Sequence, residues 1–285
     1  MSSYSNPEVP HEVNVSEKTP LRDFLRLSLG VCLLAVAVVV VIFFAARLFA
    51  PSIPFRYEAA LSDVVLQKLT RDDAAPACRR KAEAALQTLA DDLARTMALP
   101  EEMSIHVHLS QDSEPNAFAT LGGNVIIHQG LLNHLQSENA LAMVLAHEIA
   151  HIKHRDPIVS IGGGVAVAVL FSALIGNSDG GALVAWAIGL TQMSFSREQE
   201  SAADDAALAA LKAHYGYTNG ADGFFTYITK EYPEIARIPA FLSTHPTPPE
   251  RIKHIQSGFA LTPPILTPLP EALKCQVEAS GNGNP

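Results

Sequence analysis

The chain has 285 residues, of which 48% are hydrophobic and 17% charged, which suits one catalytic-sized domain with appendages. A net charge of −9 with no cluster of basic residues excludes a nucleic-acid partner, since such partners are held by a basic face that displaces counterions from phosphates. Three cysteines exclude both a cysteine-rich framework and a site built from four thiolates.

In chain order, residues 1–26 are polar, carry Pro7, Pro10 and Pro20, and read as a loosely held tail. No charged residue occurs from Leu27 to Ala46, and as a helix that stretch measures about 30 Å, the thickness of bilayer hydrocarbon. A transmembrane helix is therefore predicted over 27–50. A cleaved signal peptide fits less well, because its apolar core runs to only about 7–15 residues and Pro51 follows the one small-residue cleavage site. Lys18, Arg22 and Arg26 precede the span, while Arg47 and Arg56 follow it. This modest bias puts the tail inside and the rest in a bacterial periplasm, or in a mitochondrial intermembrane space as the alternative. There Cys78 and Cys275, which flank the central segment, could form a disulfide.

A linker over 51–75 leads to an alanine-rich helix at about 77–97, with Ala82, Ala85, Leu86, Leu89 and Leu93 at helical spacing. Alternation through Ile105, Val107 and Leu109, then Val125 to His128 after Gly122 and Gly123, predicts two short strands separated by a loop. After Ser137 as N-cap, a helix runs from Glu138 to Arg155 and stops at Pro157. Residues 158–196 are mostly apolar and read as a helical hairpin, packed on the domain or dipping into one leaflet, with two full spans as the alternative. Further helices are expected from Ser196 to Ala213, ended by Gly216, and from Ala221 to Lys230. The stretch 263–285 reads as a tail with little core.

Within the central helix, His147-Glu148-Ile149-Ala150-His151 sets two imidazoles one turn apart on one face, where both reach a single ion. Zinc takes imidazole nitrogen well, and a neighbouring carboxylate, Glu148, can deprotonate water bound to it. The apolar neighbours Leu141, Val144, Leu145 and Ile149 imply a buried helix, in which these polar groups would be costly without a metal or partners. A catalytic zinc needs a third protein ligand, for which Glu200 is the strongest downstream candidate. Asp204, one turn further on, can accept from the far nitrogen of a ligating histidine. From the residues alone, this acidic pair also reads as a solvated face, Asn116 as a turn residue and His245 as a loop histidine before prolines.

Four pieces in order resemble the M48 family of metallopeptidases, which includes the CAAX prenyl proteases and HtpX-like proteases. These are Asn116-Ala117-Phe118-Ala119 with Gly122-Gly123-Asn124-Val125-Ile126, the His147–His151 segment, Glu200 with Asp204, and His245-Pro246 followed by Arg251. The resemblance covers about 76–260 and implies an α+β, mostly helical zincin-like domain with a small β-sheet over 76–262, behind the N-terminal transmembrane helix. It implies an edge strand near Val125–His128 that pairs with an extended peptide, making Asn116, Gly123, Asn124 and Val125 substrate-binding residues. It also implies that His245 stands by the open side of the metal as an oxyanion donor, and that Arg251 supports the site. One Zn2+, polypeptide substrates, lipid contact through 27–50 and 158–193, and hydrolysis of misfolded or envelope proteins complete the expectation. The competing readings are a catalytically weak zinc-binding chaperone or scaffold, and a zinc hydrolase acting on a non-peptide bond.

Overall fold

The computed structural model describes residues 20–69, 77–160, 195–231, 245, 249–263 and 265–273. Helix α1 spans Pro20–Phe49, starting earlier than residue 27. Its Leu21, Phe24, Leu29, Val36, Val41 and Phe44 are exposed. By length and composition it can cross a membrane, and none of its apolar window is buried by the rest of the chain.

Within the stretch read as a linker, residues 51–52 and 55–69 are helical. A 3-10 turn at Ala50–Ser52 leads into α2, Phe55–Leu69. Ala50 packs with Leu121 and Ile158, so the chain just past α1 is seated on the rest of the fold. Pro51 and Pro54, immediately before α2, drew the sequence reading toward a linker, although the helix is 15 residues long.

The core is built round α5, Glu138–Lys153, whose residues from Asn139 to Ile152 are all buried. A helix apolar on every side belongs inside. Helix α3, Ala77–Thr96, lies against it through Ala82, Leu86, Leu89 and Leu93. Helix α6, Arg197–Tyr215, approaches with Ala203, Ala207 and Ala210, small side chains that let the two backbones close up.

Among the described residues the sheet has three strands: β1 His106–Ser110, β2 Ala117–Thr120 and β3 Asn124–His128, in the order β1-β3-β2. Strand β3 pairs parallel with β1, Val107 opposite Val125, and antiparallel with β2, Ala119 opposite Val125. The strand expected at the edge is thus the central one, as its continuous apolar run Val125-Ile126-Ile127 would signal for a strand covered on both faces. Strand β2 went unseen because it is four residues long and half alanine, a poor strand former.

The two outer strands differ. Helix α3 closes the edge of β1: Gln87 accepts from Val107 N–H at 2.8 Å and donates to Ile105 O at 2.8 Å, Glu83 accepts from Leu109 N–H at 3.2 Å, and Arg79 donates to Leu109 O. Residues 79, 83 and 87 line one helix face, so these side chains stand in for a neighbouring strand. Strand β2 is tied instead to α5, where Glu148 accepts from the Ala119 N–H at 2.8 Å, and its four residues are buried.

Short helix α4, Gln129–His134, precedes Ser137, which caps α5 by accepting from Ala140 N–H. Helix α5 ends two residues earlier than expected. Arg155 takes a positive φ of 65°, and helix resumes over residues 156–160 with Pro157 in its first turn, where a missing N–H costs nothing. Ser196 and Gln199 form a capping box at the start of α6, and Gly216 ends it at φ 82°. Helices α7, Gly223–Glu231, and α8, Pro249–Ser257, follow.

The trailing segment does contribute to the core. Thr267 O accepts from Glu138 N–H, Thr267 N–H donates to Asn139 Oδ1, and Leu273 is 2% exposed. Cys32 is free and exposed, whereas Cys78 is disulfide-bonded. Its expected partner Cys275 lies outside the described residues, as do 161–194 of the expected hairpin and the tail 1–19.

Candidate metal centre

Helices α5 and α6 lie side by side and bring their polar groups to one buried point. His147 and His151, one turn apart, face each other with their Nε2 atoms 3.1 Å apart. The far nitrogens face carboxylates: His147 Nδ1 stands 3.0 Å from Asp204 Oδ1, and His151 Nδ1 stands 2.8 Å from Asp156 Oδ2. A carboxylate only accepts, so each Nδ1 carries a hydrogen and each Nε2 turns a lone pair toward the other ring. Such a pair repels unless a cation lies between.

Glu200 completes the cluster, with Oε2 at 3.5 Å from His147 Nε2 and Oε1 at 3.5 Å from His151 Nε2. His245 Nδ1 enters as a fourth group, 2.9 Å from Glu200 Oε1 and 3.3 Å from His147 Nε2. The four donor atoms lie within 4.8 Å of one another, and all four residues are buried. Tetrahedral zinc with bonds of about 2.0–2.1 Å sets its donors about 3.4 Å apart, so spacing and chemistry both fit that ion. His245, expected beside the open side of the metal, has its Nδ1 among the four clustered donor atoms.

Electrostatics point the same way. Burial lowers the basicity of His147, but Asp204 and Glu200 outweigh it and push the imidazole up to about 10. Burial disfavours the charged form of Glu200 and Asp204, yet His245, His147 and His151 hold the first carboxyl well below its ordinary range, and His147 and Arg251 do so for the second. Arg251 braces both, with Nη1 2.6 Å from Glu200 Oε2 and Nε and Nη2 donating to the two Asp204 oxygens at 2.7 and 2.8 Å. A buried cluster this rich in carboxylates requires a cation, either a proton on His147 or a metal in its place.

Glu148 sits beside the donors, fully buried. Its Oε2 accepts from Ala119 N–H at 2.8 Å, while Oε1 has no hydrogen-bond partner among the described residues and lies 3.6 Å from His245 Nε2. Burial pushes this carboxyl up, against the opposing pull of His245 and His147. Phe195 stacks on the His151 ring at 4.0 Å.

His147, Glu148, His151, Glu200, Asp204, His245 and Arg251 therefore meet in one place. The expected substrate-binding residues mostly do not. Gly123 is pinned with its α-carbon against Ser104 O, where any Cβ would come within 1.9 Å. Asn124 donates to Leu121 O at 2.8 Å and pairs with His108 at 2.8 Å, and Val125 is buried in the central strand. Asn116, buried with its Oδ1 unpartnered, directly precedes β2. His128 stays outside the donor group, packed on Phe118.

Three participants escaped the sequence reading. Asp156 holds His151, Gln199 donates to Asp156 at 2.6 Å, and the Ala119 amide holds Glu148. A carboxylate just beyond the histidine helix was the one available signal, and only the turn at Arg155 brings it back to His151.

Residues 80–258 match peptidase family M48. Over 162 residues, 52% of this chain and 33% of the relative, the chain is 28% identical to the beta-barrel assembly-enhancing protease of Escherichia coli strain K12. It is 30% identical over 157 residues to the mitochondrial metalloendopeptidase OMA1 of Schizosaccharomyces pombe, covering 54% of this chain and 47% of the relative. With a protease HtpX homolog of Persephonella marina, identity is 34% over 145 residues, 42% of this chain and 49% of the relative. The chain thus spans half or less of these relatives. Since the family match runs from α3 through α8 and encloses the whole donor cluster with its carboxylate supports, the chain belongs to peptidase family M48.

Proposed function

We propose that this protein is a membrane-anchored zinc endopeptidase, with α1 as the anchor and the catalytic domain on the outer side of the membrane. The observation that carries the reading is the meeting of His147, His151 and Glu200 at zinc-like spacing beside the buried carboxyl of Glu148. Zinc bound there supplies a Lewis acid and lowers the pKa of coordinated water. Asp204 and Asp156 keep the ligand imidazoles in the tautomer that offers Nε2. Glu148 takes a proton from the attacking water and returns it to the leaving amine, a role suited by a carboxyl that burial has made more basic.

His147, His151 and Glu200, on packed helices, would hold the zinc, and His245, whose Nδ1 lies 2.9 Å from Glu200 Oε1, would serve the oxyanion through an N–H. Strand β2, an outer strand of the sheet that carries the Glu148-binding amide, takes the substrate-strand role expected of Val125–His128, with Asn116 at its entrance. Main-chain pairing suits unfolded substrates, and misfolded or envelope polypeptides are the proposed class.

Metal analysis of the purified protein, with cleavage of an unfolded protein before and after chelation and zinc add-back, tests this reading. One zinc per chain and chelator-sensitive, zinc-restored cleavage are expected. Bound zinc with no cleavage of any polypeptide would favour the scaffold.

A further inference from the structure

The end of α1 and helix α2 do more than tether the domain. Glu58, on α2, is 1% exposed, and its carboxylate bridges two elements that frame the metal centre. Its Oε1 accepts from Gly122 N–H at 3.2 Å, in the β2–β3 turn, and its Oε2 pairs with Arg155 at 2.9 Å, just past the end of α5. Arg155 also donates to Ile53 O at 2.6 Å and lies 5.5 Å over the Phe55 ring. Its φ of 65° is one that non-glycine residues seldom adopt, and it directs the side chain back onto α2.

The contact is close on the other side as well. Gly122 has φ 71°, and a Cβ there would fall 2.6 Å from Ser62 Oγ and 2.8 Å from Ala59 Cα, so α2 rests on bare backbone. Ala50 packs on neighbouring Leu121 and on Ile158. The turn held in this way follows Ala119, whose amide fixes Glu148, and Arg155 precedes Asp156, which fixes His151.

We propose that Glu58 and Arg155 are positioning residues that lock α2 between the β2–β3 turn and the end of α5, and so set the substrate-binding edge of β2 against Glu148. The anchor segment is then part of the catalytic architecture. This rests on the peptidase reading and on the use of β2 as the docking edge.

The test uses the full-length protein. Glu58→Ala removes both contacts, whereas Glu58→Gln keeps an acceptor for Gly122 and loses the charge that meets Arg155. For an extended peptide, Glu58→Ala is expected to raise KM about ten-fold and Glu58→Gln by a smaller factor, with zinc content close to the parent. Amide exchange over residues 117–122 should quicken in both. A change that merely destabilised the fold would lower the active fraction, hence the apparent kcat, at constant KM. Unchanged KM in Glu58→Gln, the variant that decides the matter if Glu58→Ala does not accumulate, would overturn the inference. If the parent protein cleaves nothing, the peptidase reading fails by itself, and unchanged amide exchange in β2 would then still remove the clamp.

Discussion

The amide of Ala119 donates to Oε2 of Glu148 across 2.8 Å, tying the outermost strand of the sheet to the carboxylate beside the metal cluster. One oxygen is held by the strand and the other is left facing the donors. On the proposed peptidase reading, a base aimed in this way would act on water lying between the cluster and the strand.

Glu148→Gln preserves shape and removes basicity. It is expected to keep the metal and to lower kcat by at least about 100-fold, the lower end of what general acid–base catalysis contributes. Turnover within ten-fold of the parent, at equal metal content, would take Glu148 out of the chemistry.

Asp156 supports His151 as Asp204 supports His147, so Asp156→Asn is expected to weaken metal binding by about 10–100-fold, as outer carboxylates do at such sites. Competition against a chelator of known affinity measures it. Asp112→Asn, at an exposed carboxyl 4.0 Å from His128, should bind metal as the parent does.

Arg251 carries three bonds to two buried carboxylates. Arg251→Met leaves those charges without their guanidinium and should cost about 3–5 kcal/mol in the metal-free protein, read by urea unfolding. Added zinc should recover part of the loss, because it neutralises Glu200 directly.

His147 without metal holds its proton up to about 10, above the roughly 6.5 of an unfolded histidine. A raised folded value means the stabilisation is complete below 6.5 and disappears as pH climbs toward 10. The metal-free protein should therefore melt at falling temperatures across that window. Zinc-loaded protein should not show this loss, since the metal takes the proton's place; parallel curves for the two forms would contradict the shared site.

His245→Ala removes one of the four candidate donors and leaves three. Metal should remain bound at one per chain, and a chelator should strip it at least about ten-fold faster, by analogy with the loss of supporting groups. Equal stripping rates would show that His245 Nδ1 does not touch the ion.

Local periodicity made much of this protein readable in advance. His147 with His151, and Glu200 with Asp204, each occupy one helix face because the α-helix repeats every 3.6 residues, and Ser137, Ser196 and Gly216 marked helix ends through hydrogen bonds made within a few residues. The apolar length of α1 was equally a property of consecutive residues.

Relations between distant segments were decided by the folded chain. Strand order is one: β3 became central because β1 and β2 both pair with it, and nothing local to Val125 states which neighbour arrives on each side. The placement of α2 against Gly122, the return of Asp156 to His151 and the entry of His245 into the donor set are others. Each joins groups whose meeting depends on packing elsewhere, so the sequence names the chemistry available, and only the tertiary contacts decide which groups share it.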